Sequence, residues 1–376
     1  MKIYHLGIWK CIIILMLINI SATTYTQNIK FNKEKSNVEV KADILTFRST
    51  INNTDYKLLI SVPHGYDSNS VEKYPVLYLL DAQWDYTNVI GGFGNSNYDG
   101  FVPGIVIVGI SYAGENPNYG ALRKYDLTPA YWEELGRTGG ANDFLKVLRT
   151  EIFPFIENNY NVDDLNRSLA GTSFGGLFAL HSLFNTTDMF NGYIICNPDL
   201  QFDNELPFKF EKKYADLNST LNADVFLVSG EYDNVKSFEK MVKQIESRNY
   251  EGLRIGNRIL EGMAHSCSKS EAYIRGMHFL YERPVVELPL EELRQYTGTY
   301  EFTGGETVEI TAKDGHLLIR NMWGLPDCAV YGLGNNKFTW LKTYNKFNFI
   351  RNKQGEVTKM VIGFNRDYVL SADKTE

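Results

Sequence analysis

The segment "LAGTSFGGLF" (169–178) sets Ser173 between Gly171 and Gly175. This is the G-x-S-x-G spacing of a nucleophile elbow, whose glycines leave room for a strained strand-to-helix turn that lifts the serine hydroxyl clear of a sheet. A glycine-rich structural corner would share the pattern, so the flanking residues matter. "RSLAG" reads as a buried strand and "FGGLFALHSLF" as a helix, the order an elbow requires. A serine hydroxyl is a poor nucleophile at neutral pH and needs an imidazole to take its proton. Four histidines follow Ser173: His181, His265, His278 and His316. His181 is two turns into the helix after the serine and should point away from the turn. His278 sits in the apolar periodicity of "AYIRGMHFLYE", and His316 belongs to a later β-rich region. His265, in "LEGMAHSCS", falls in a loop between a strand-like run and a helix, where a base can reach a sheet's carboxyl edge.

The acid that orients such an imidazole should fall between the two, at a strand end. "VFLVSGEYDNV" offers Glu231 and Asp233 there. Asp233 is the choice, because the turn must advance past Gly230 before a side chain can lean over the histidine loop; Glu231 stands as the alternative. A tetrahedral intermediate also needs two backbone N–H donors. The N–H of Phe174, directly after the nucleophile, is one; the loop after "PVLYLLDAQW" supplies Ala82 or Gln83 as the other. Trp84, Tyr86, Tyr112, Arg123 and Trp132 are expected in loops overhanging the catalytic edge. Of these, Trp84, Tyr112, Arg123 and Trp132 are the candidate substrate-binding residues, with Arg123 facing either an acidic substrate group or Asp126.

These residues need a frame. "ILTFRSTINNTDYKLLISVP" (44–63) alternates apolar and polar residues about an Asn-Asn-Thr-Asp turn, the pattern of an antiparallel hairpin. "PVLYLL", "IVIVGI", "NGYIIC" and "DVFLVSG" are short apolar runs of the kind buried on both faces in a parallel sheet. Between them "SFEKMVKQIESRN" puts Phe238, Met241, Val242 and Ile245 on one helical face. "NDFLKVLRTEIFPFIENNY" is a second helix that Pro154 should kink or divide. Strand and helix alternate to about residue 282, which predicts an α/β doubly wound, mostly parallel sheet over 28–284. After "RPVVELPLEEL" short alternating strands with glycine-containing turns replace the helical periodicity, so 288–376 reads as a separate small all-β domain, with a barrel as the candidate architecture.

Composition bounds the function. The chain has 376 residues, 44% hydrophobic, 22% charged and 14% aromatic, which is globular and aromatic-rich. A net charge of −7 without a basic run argues against a nucleic-acid partner and for a small or neutral substrate. The start of the chain has Lys2 and Lys10 ahead of an apolar run from Cys11 to Ile20, then small and polar residues. This is the layout of a signal peptide over 1–27, cleaved between Ala22 and Gln27, and it predicts export to the periplasm or outside the cell. The run is about half the roughly 20 residues that span a bilayer, so no stable membrane span is expected after cleavage. Cys196, Cys267 and Cys328 remain, an odd number allowing at most one bridge, between Cys196 and Cys267; buried free thiols are the plainer expectation. No CxxC, HExxH, P-loop or GxGxxG occurs, so neither metal nor cofactor is expected.

Several stretches in order, "YPVLYLLDAQ", "RKYDLTP", "GGANDFLKVLRTEIFPFIENNY", "RSLAGTSFGGLFAL", "VSGEYDN" and "GMAHS", resemble the putative-esterase family of α/β-hydrolases. That family includes enterochelin (ferric-siderophore) esterases, feruloyl and acetyl-xylan esterases, S-formylglutathione hydrolases and mycolyltransferases. The resemblance covers roughly residues 40 to 282. It implies the α/β-hydrolase fold and a serine triad on Ser173, Asp233 and His265. The chain departs from the family at Thr172, where His is frequent, at Ala82, where Gly often follows Asp81, and at "CNPDL", where Ser-Pro-Ser is frequent. The tail "LRQYTGTYEF…VEITAKDGHLLIRN" resembles the small β domain appended to some bacterial serine hydrolases.

The expectation is thus an exported serine esterase acting on a small-molecule or polysaccharide-linked ester, either a ferric-siderophore ester or a feruloyl or acetyl decoration. The alternatives are an acyltransferase with the same triad and a non-catalytic polysaccharide- or siderophore-binding module. The β domain leaves three roles open: covering the site, oligomerisation or substrate binding.

Overall fold

The computed structural model describes residues 41–334, 337–364 and 368–375. The leader read at 1–27 lies outside the described residues. Eight strands form the first sheet: β1 (Asp43–Arg48), β2 (Asp55–Ser61), β3 (Tyr74–Leu79), β4 (Val106–Tyr112), β5 (Val162–Thr172), β6 (Gly192–Cys196), β7 (Thr220–Gly230) and β8 (Glu251–Leu260). Their order is β1-β2-β4-β3-β5-β6-β7-β8. The first hairpin and the β2–β4 pair are antiparallel, and every other pair is parallel. Sequence texture follows this layout. Strands β4 and β6 are buried at every position, as strands covered on both faces must be, whereas β2 alternates.

Helices α1 (Ala82–Tyr98), α2 (Tyr119–Asp126), α3 (Ala141–Val147), α4 (Phe153–Asn159), α5 (Phe174–Asn185), α6 (Phe202–Ala215), α7 (Val235–Glu246) and α8 (Lys269–Leu280) cover the sheet. On α7 the four residues Phe238, Met241, Val242 and Ile245 are buried, as their spacing predicts. The segment is divided at Pro154, as expected: a π-helical stretch, Leu148–Ile152, separates α3 from α4 and places Pro154 in the first turn of α4. Helix α1 corrects the expectation of a loop around Trp84 and Tyr86. Gly91, Gly92 and Gly94 hide it from periodicity, and Gly92 is required by packing, because a Cβ there would lie 2.6 Å from Ile274 Cγ1 of α8.

The remaining strands, β9 (Gly298–Phe302), β10 (Thr307–Lys313), β11 (His316–Arg320), β12 (Cys328–Gly334), β13 (Lys337–Trp340), β14 (Lys346–Arg351), β15 (Val357–Phe364) and β16 (Tyr368–Lys374), close into an antiparallel barrel, preceded by the short helix α9 (Leu290–Arg294). An eight-stranded barrel is just wide enough for side chains to fill. Here Tyr300, Ile310, Phe338, Phe347 and Met360 fill it, with Leu293 and Tyr296 joining the same core from α9 and the turn after it. The β13–β14 connection docks on the ends of α1 and α8. Tyr344 N–H donates to Gly100 O (2.6 Å), Asn345 Nδ2 to Asp99 O (2.9 Å) and Tyr344 Oη to Tyr281 O (3.0 Å).

Candidate active site

Ser173 occupies the corner between β5 and α5 with φ 62° and ψ −118°, a conformation ordinary L-residues avoid. The corner is held from both sides: Ser173 N–H donates to Cys196 O (3.1 Å), and Ser173 O accepts from Leu177 N–H (2.9 Å) and Asp199 N–H (3.3 Å). Close approach explains the glycines. A Cβ on Gly171 would lie 2.6 Å from the backbone of Gly175, and one on Gly176 would lie 2.9 Å from Pro198 Cα. Gly175 has ordinary clearance, with 3.4 Å to Asp81 Oδ2. Gly176, outside the pentapeptide, is therefore a tighter position than Gly175 inside it.

Beyond β7 the chain turns at Gly230, and Asp233 comes back over the loop that joins β8 to α8. Asp233 Oδ2 is 2.5 Å from His265 Nδ1, while Asp233 Oδ1 accepts Asn234 N–H (2.7 Å). The backbone bond aims the carboxylate and leaves one oxygen for the ring. With Nδ1 committed to Asp233, Nε2 is the nitrogen left for proton transfer, and His265 shares a cavity of about 470 Å³ with Ser173. Glu231 does something else: its Oε2 accepts Gly262 N–H (2.7 Å), pinning the start of the histidine loop. The other histidines lie away from the cavity. His181 is buried against Phe210 beside Asn142, and burial lowers its pKa to about 4. His278 stacks on Phe101 and bonds Ser96, and His316 stacks on Tyr331 in the barrel.

The turn expected to supply the second N–H donor is Asp81, left-handed at φ 54°, followed at once by α1. Trp84 and Asp85 N–H close on Asp81 O, so Ala82 and Gln83 carry the first-turn N–H groups that have no intrahelical partner. Phe174 N–H occupies the same position at the start of α5. Asp81 is 5% exposed and is held by Arg123 through two bonds, Nε to Oδ1 (2.7 Å) and Nη2 to Oδ2 (2.8 Å). Burial works to lower the Arg123 pKa, but the hydrogen bonds to Asp81 and the charge of that carboxylate, with smaller charge effects from Tyr112 and Asp85, together outweigh it and raise the pKa. This answers the sequence alternatives for Arg123: its carboxylate is Asp81, and Asp126 instead accepts from the Tyr56 hydroxyl (2.7 Å).

The guanidinium of Arg123 lies against two rings, Trp84 (5.7 Å to the ring centroid) and Phe174 (5.1 Å). Trp84 and Arg123 line the cavity. Tyr112 is a correction: it is a residue of β4, 5% exposed and packed on Tyr56, because the strand continues two residues past the apolar run. Trp132 packs edge-on against Phe202, which meets Phe174 edge-on in turn, so it supports the rim without lining the cavity.

A hydrogen-bonded chain that no local sequence signal marks lies next to Ser173. Asp85, 1% exposed, accepts from Lys269 Nζ (2.8 Å) and Tyr273 Oη (2.6 Å), and Tyr273 Oη is 2.8 Å from Thr172 Oγ1. It ties the start of α1 to α8 and to the end of β5. Lys269 and Tyr273 are one turn apart on α8, but nothing short-range links them to residues 85 and 172. Cys196 and Cys267 are free thiols; burial pushes the Cys196 pKa up to about 12. Among the described residues, none of the barrel lines the cavity.

The profile of the putative esterase family matches residues 49–243, more than half of the chain. The chain belongs to this family. A second profile, a domain of unknown function (DUF3471), matches residues 282–372, the part that contains the barrel. Within the esterase family the chain is similar to the ferri-bacillibactin esterase BesA of Bacillus subtilis, at 31% identity over 176 residues, 43% of this chain and 60% of the relative. It is similar to the apo-salmochelin esterase of Escherichia coli at 30% over 176 residues, 44% of this chain and 54% of the relative. The chain thus spans less than two thirds of the length of these two relatives. Among solved structures, the BES protein from Bacillus cereus shares the fold with a TM-score of 0.60 at 24% identity, covering 67% of this chain and 99% of that one.

Proposed function

We propose that the chain is a serine esterase that hydrolyses carboxylic esters of the siderophore class through Ser173, His265 and Asp233. The observation that carries this reading is the 2.5 Å contact between Asp233 Oδ2 and His265 Nδ1, on a cavity that His265 shares with an elbow serine. Ser173 Oγ attacks the ester carbonyl as its proton passes to His265 Nε2. The oxyanion is taken up by N–H groups of Phe174 and of Ala82 or Gln83, at two helix starts whose dipoles favour negative charge. Collapse breaks the ester C–O bond and the imidazolium protonates the departing alkoxide. Water, deprotonated by His265, then attacks the acyl-serine and frees the acid. Asp233 stabilises the imidazolium in both halves.

Two supports favour a siderophore ester: the names of the related esterases, and the Trp84 and Phe174 rings against Arg123, suited to a planar aromatic acyl group. The leader layout at 1–27 supports export. The test is turnover of a short-chain aryl ester and of a catecholate trilactone by wild type and Ser173→Ala. Loss of the nucleophile should cost about 10⁴-fold or more in kcat. Equal turnover by both proteins rejects the mechanism, and turnover of the aryl ester alone rejects the substrate class.

A further inference from the structure

Asn197 follows β6 at the centre of the carboxyl edge. It is 4% exposed and takes φ 41°, a left-handed conformation that asparagine tolerates better than most residues. Every polar group of its side chain is used. Nδ2 donates to His265 O (2.7 Å) and to Ser268 Oγ (2.7 Å), and Oδ1 accepts Gly230 N–H (2.8 Å). The Ser268 hydroxyl in turn donates to His265 O (3.2 Å), so the histidine carbonyl is gripped directly and through one intermediary. Gly230 begins the turn that carries Asp233, whose N–H closes on Gly230 O (3.1 Å). Cys196, one residue before Asn197, and Asp199, two residues after it, hold the third member: Cys196 O accepts Ser173 N–H and Asp199 N–H reaches Ser173 O.

Resting on the esterase reading above, we propose that Asn197 is the positioning residue of the triad, fixing the His265 and Asp233 loops to each other and to the segment that grips Ser173. The three loops come from β5, β7 and β8, which share no local sequence; the Asn197 side chain bonds two of them, and Asn197 itself lies between Cys196 and Asp199, whose backbone bonds the third. A misplacement of the ring by about 1 Å costs on the order of 10²-fold in rate without changing how an ester fits the cavity.

The experiment uses the full chain and a short-chain aryl ester, with Asn197→Gly and Asn197→Asp. Glycine keeps the left-handed backbone and removes the amide; aspartate keeps shape and the acceptor for Gly230 but turns two donors into acceptors facing His265 O and Ser268 Oγ. Both should fold, judged by circular dichroism, and lose about 10²-fold in kcat with KM within about threefold of wild type. Inactivation by an organophosphorus serine reagent should slow in parallel. If either folded variant retains kcat within about threefold, or loses kcat/KM only through a raised KM, the proposal is overturned. Should neither fold, Ser268→Ala removes half of the grip; an unchanged kcat there overturns the proposal, and a loss in kcat at constant KM supports it. Ser173→Ala is measured alongside: activity in that variant overturns the esterase reading itself, and this proposal with it.

Discussion

Asp233 Oδ2 lies 2.5 Å from His265 Nδ1, while Glu231, two residues earlier, spends its carboxylate on Gly262 N–H. The turn at Gly230 sends one acid to the ring and the other to the loop beneath it. Asp233→Asn should therefore reduce kcat by about 10⁴-fold, as loss of the orienting carboxylate does in serine triads. Glu231→Gln, which keeps an acceptor for Gly262, should stay near wild type. Aryl-ester kinetics on the two variants decide the assignment, and the reverse ranking would reject it.

The Asp81–Arg123 pair is nearly buried, so breaking it is expected to be severe. Arg123→Met strands the Asp81 carboxylate, at a cost of about 3–5 kcal/mol in urea unfolding. Adding Asp81→Asn to that variant removes the stranded charge and should recover part of the loss. Activity should not recover with stability, because the left-handed turn at Asp81 carries Ala82 and Gln83.

The glycine geometry ranks two neighbouring substitutions. A Cβ on Gly176 would lie 2.9 Å from Pro198 Cα and 3.0 Å from Cys196 O, backbone that also grips Ser173. Gly176→Ala should destabilise by about 1–3 kcal/mol, the usual range for overpacking, and depress kcat with it. Gly175→Ala, whose nearest neighbour is a side-chain oxygen at 3.4 Å, should be milder in both thermal melting and turnover.

Two buried groups give opposite slopes of stability with pH. Burial holds His181 near 4 in the folded protein against an ordinary 6.5, so the unfolded chain binds more protons between those values. Stability from this group is present above pH 6.5 and is lost as pH falls towards 4, by about 3 kcal/mol in all. Asp126 runs the other way: burial, only partly offset by bonds from Tyr56 and Tyr112, lifts it from 3.8 to about 6. Its folded form keeps a proton the unfolded chain releases, so its contribution declines as pH rises from 3.8 to 6. Urea midpoints across this range should show a shallower acid loss for His181→Gln and a steeper one for Asp126→Asn. A variant whose slope matches wild type would contradict its assignment.

Much of this molecule is legible in one dimension because its signals are local. Buried strands such as β4 and β6 are unbroken apolar runs, α7 shows its face at helical spacing, and the elbow declares itself through a serine between glycines. The order of Ser173, Asp233 and His265 along the chain places candidates at one sheet edge but leaves Glu231 open beside Asp233 as the acid. Helix α1 is hidden in the sequence because three glycines blur its period, and Tyr112 reads as a loop residue because an apolar run does not mark where a strand stops. Only the tertiary structure decided which carboxylate Arg123 meets, what Glu231 holds, and that Asp85, Lys269, Tyr273 and Thr172 join next to Ser173. Such contacts bridge as many as 188 positions of sequence separation, and no local propensity encodes them. They arise because buried polar groups must find partners among whatever the packed strands and helices bring near, a condition set by the whole fold.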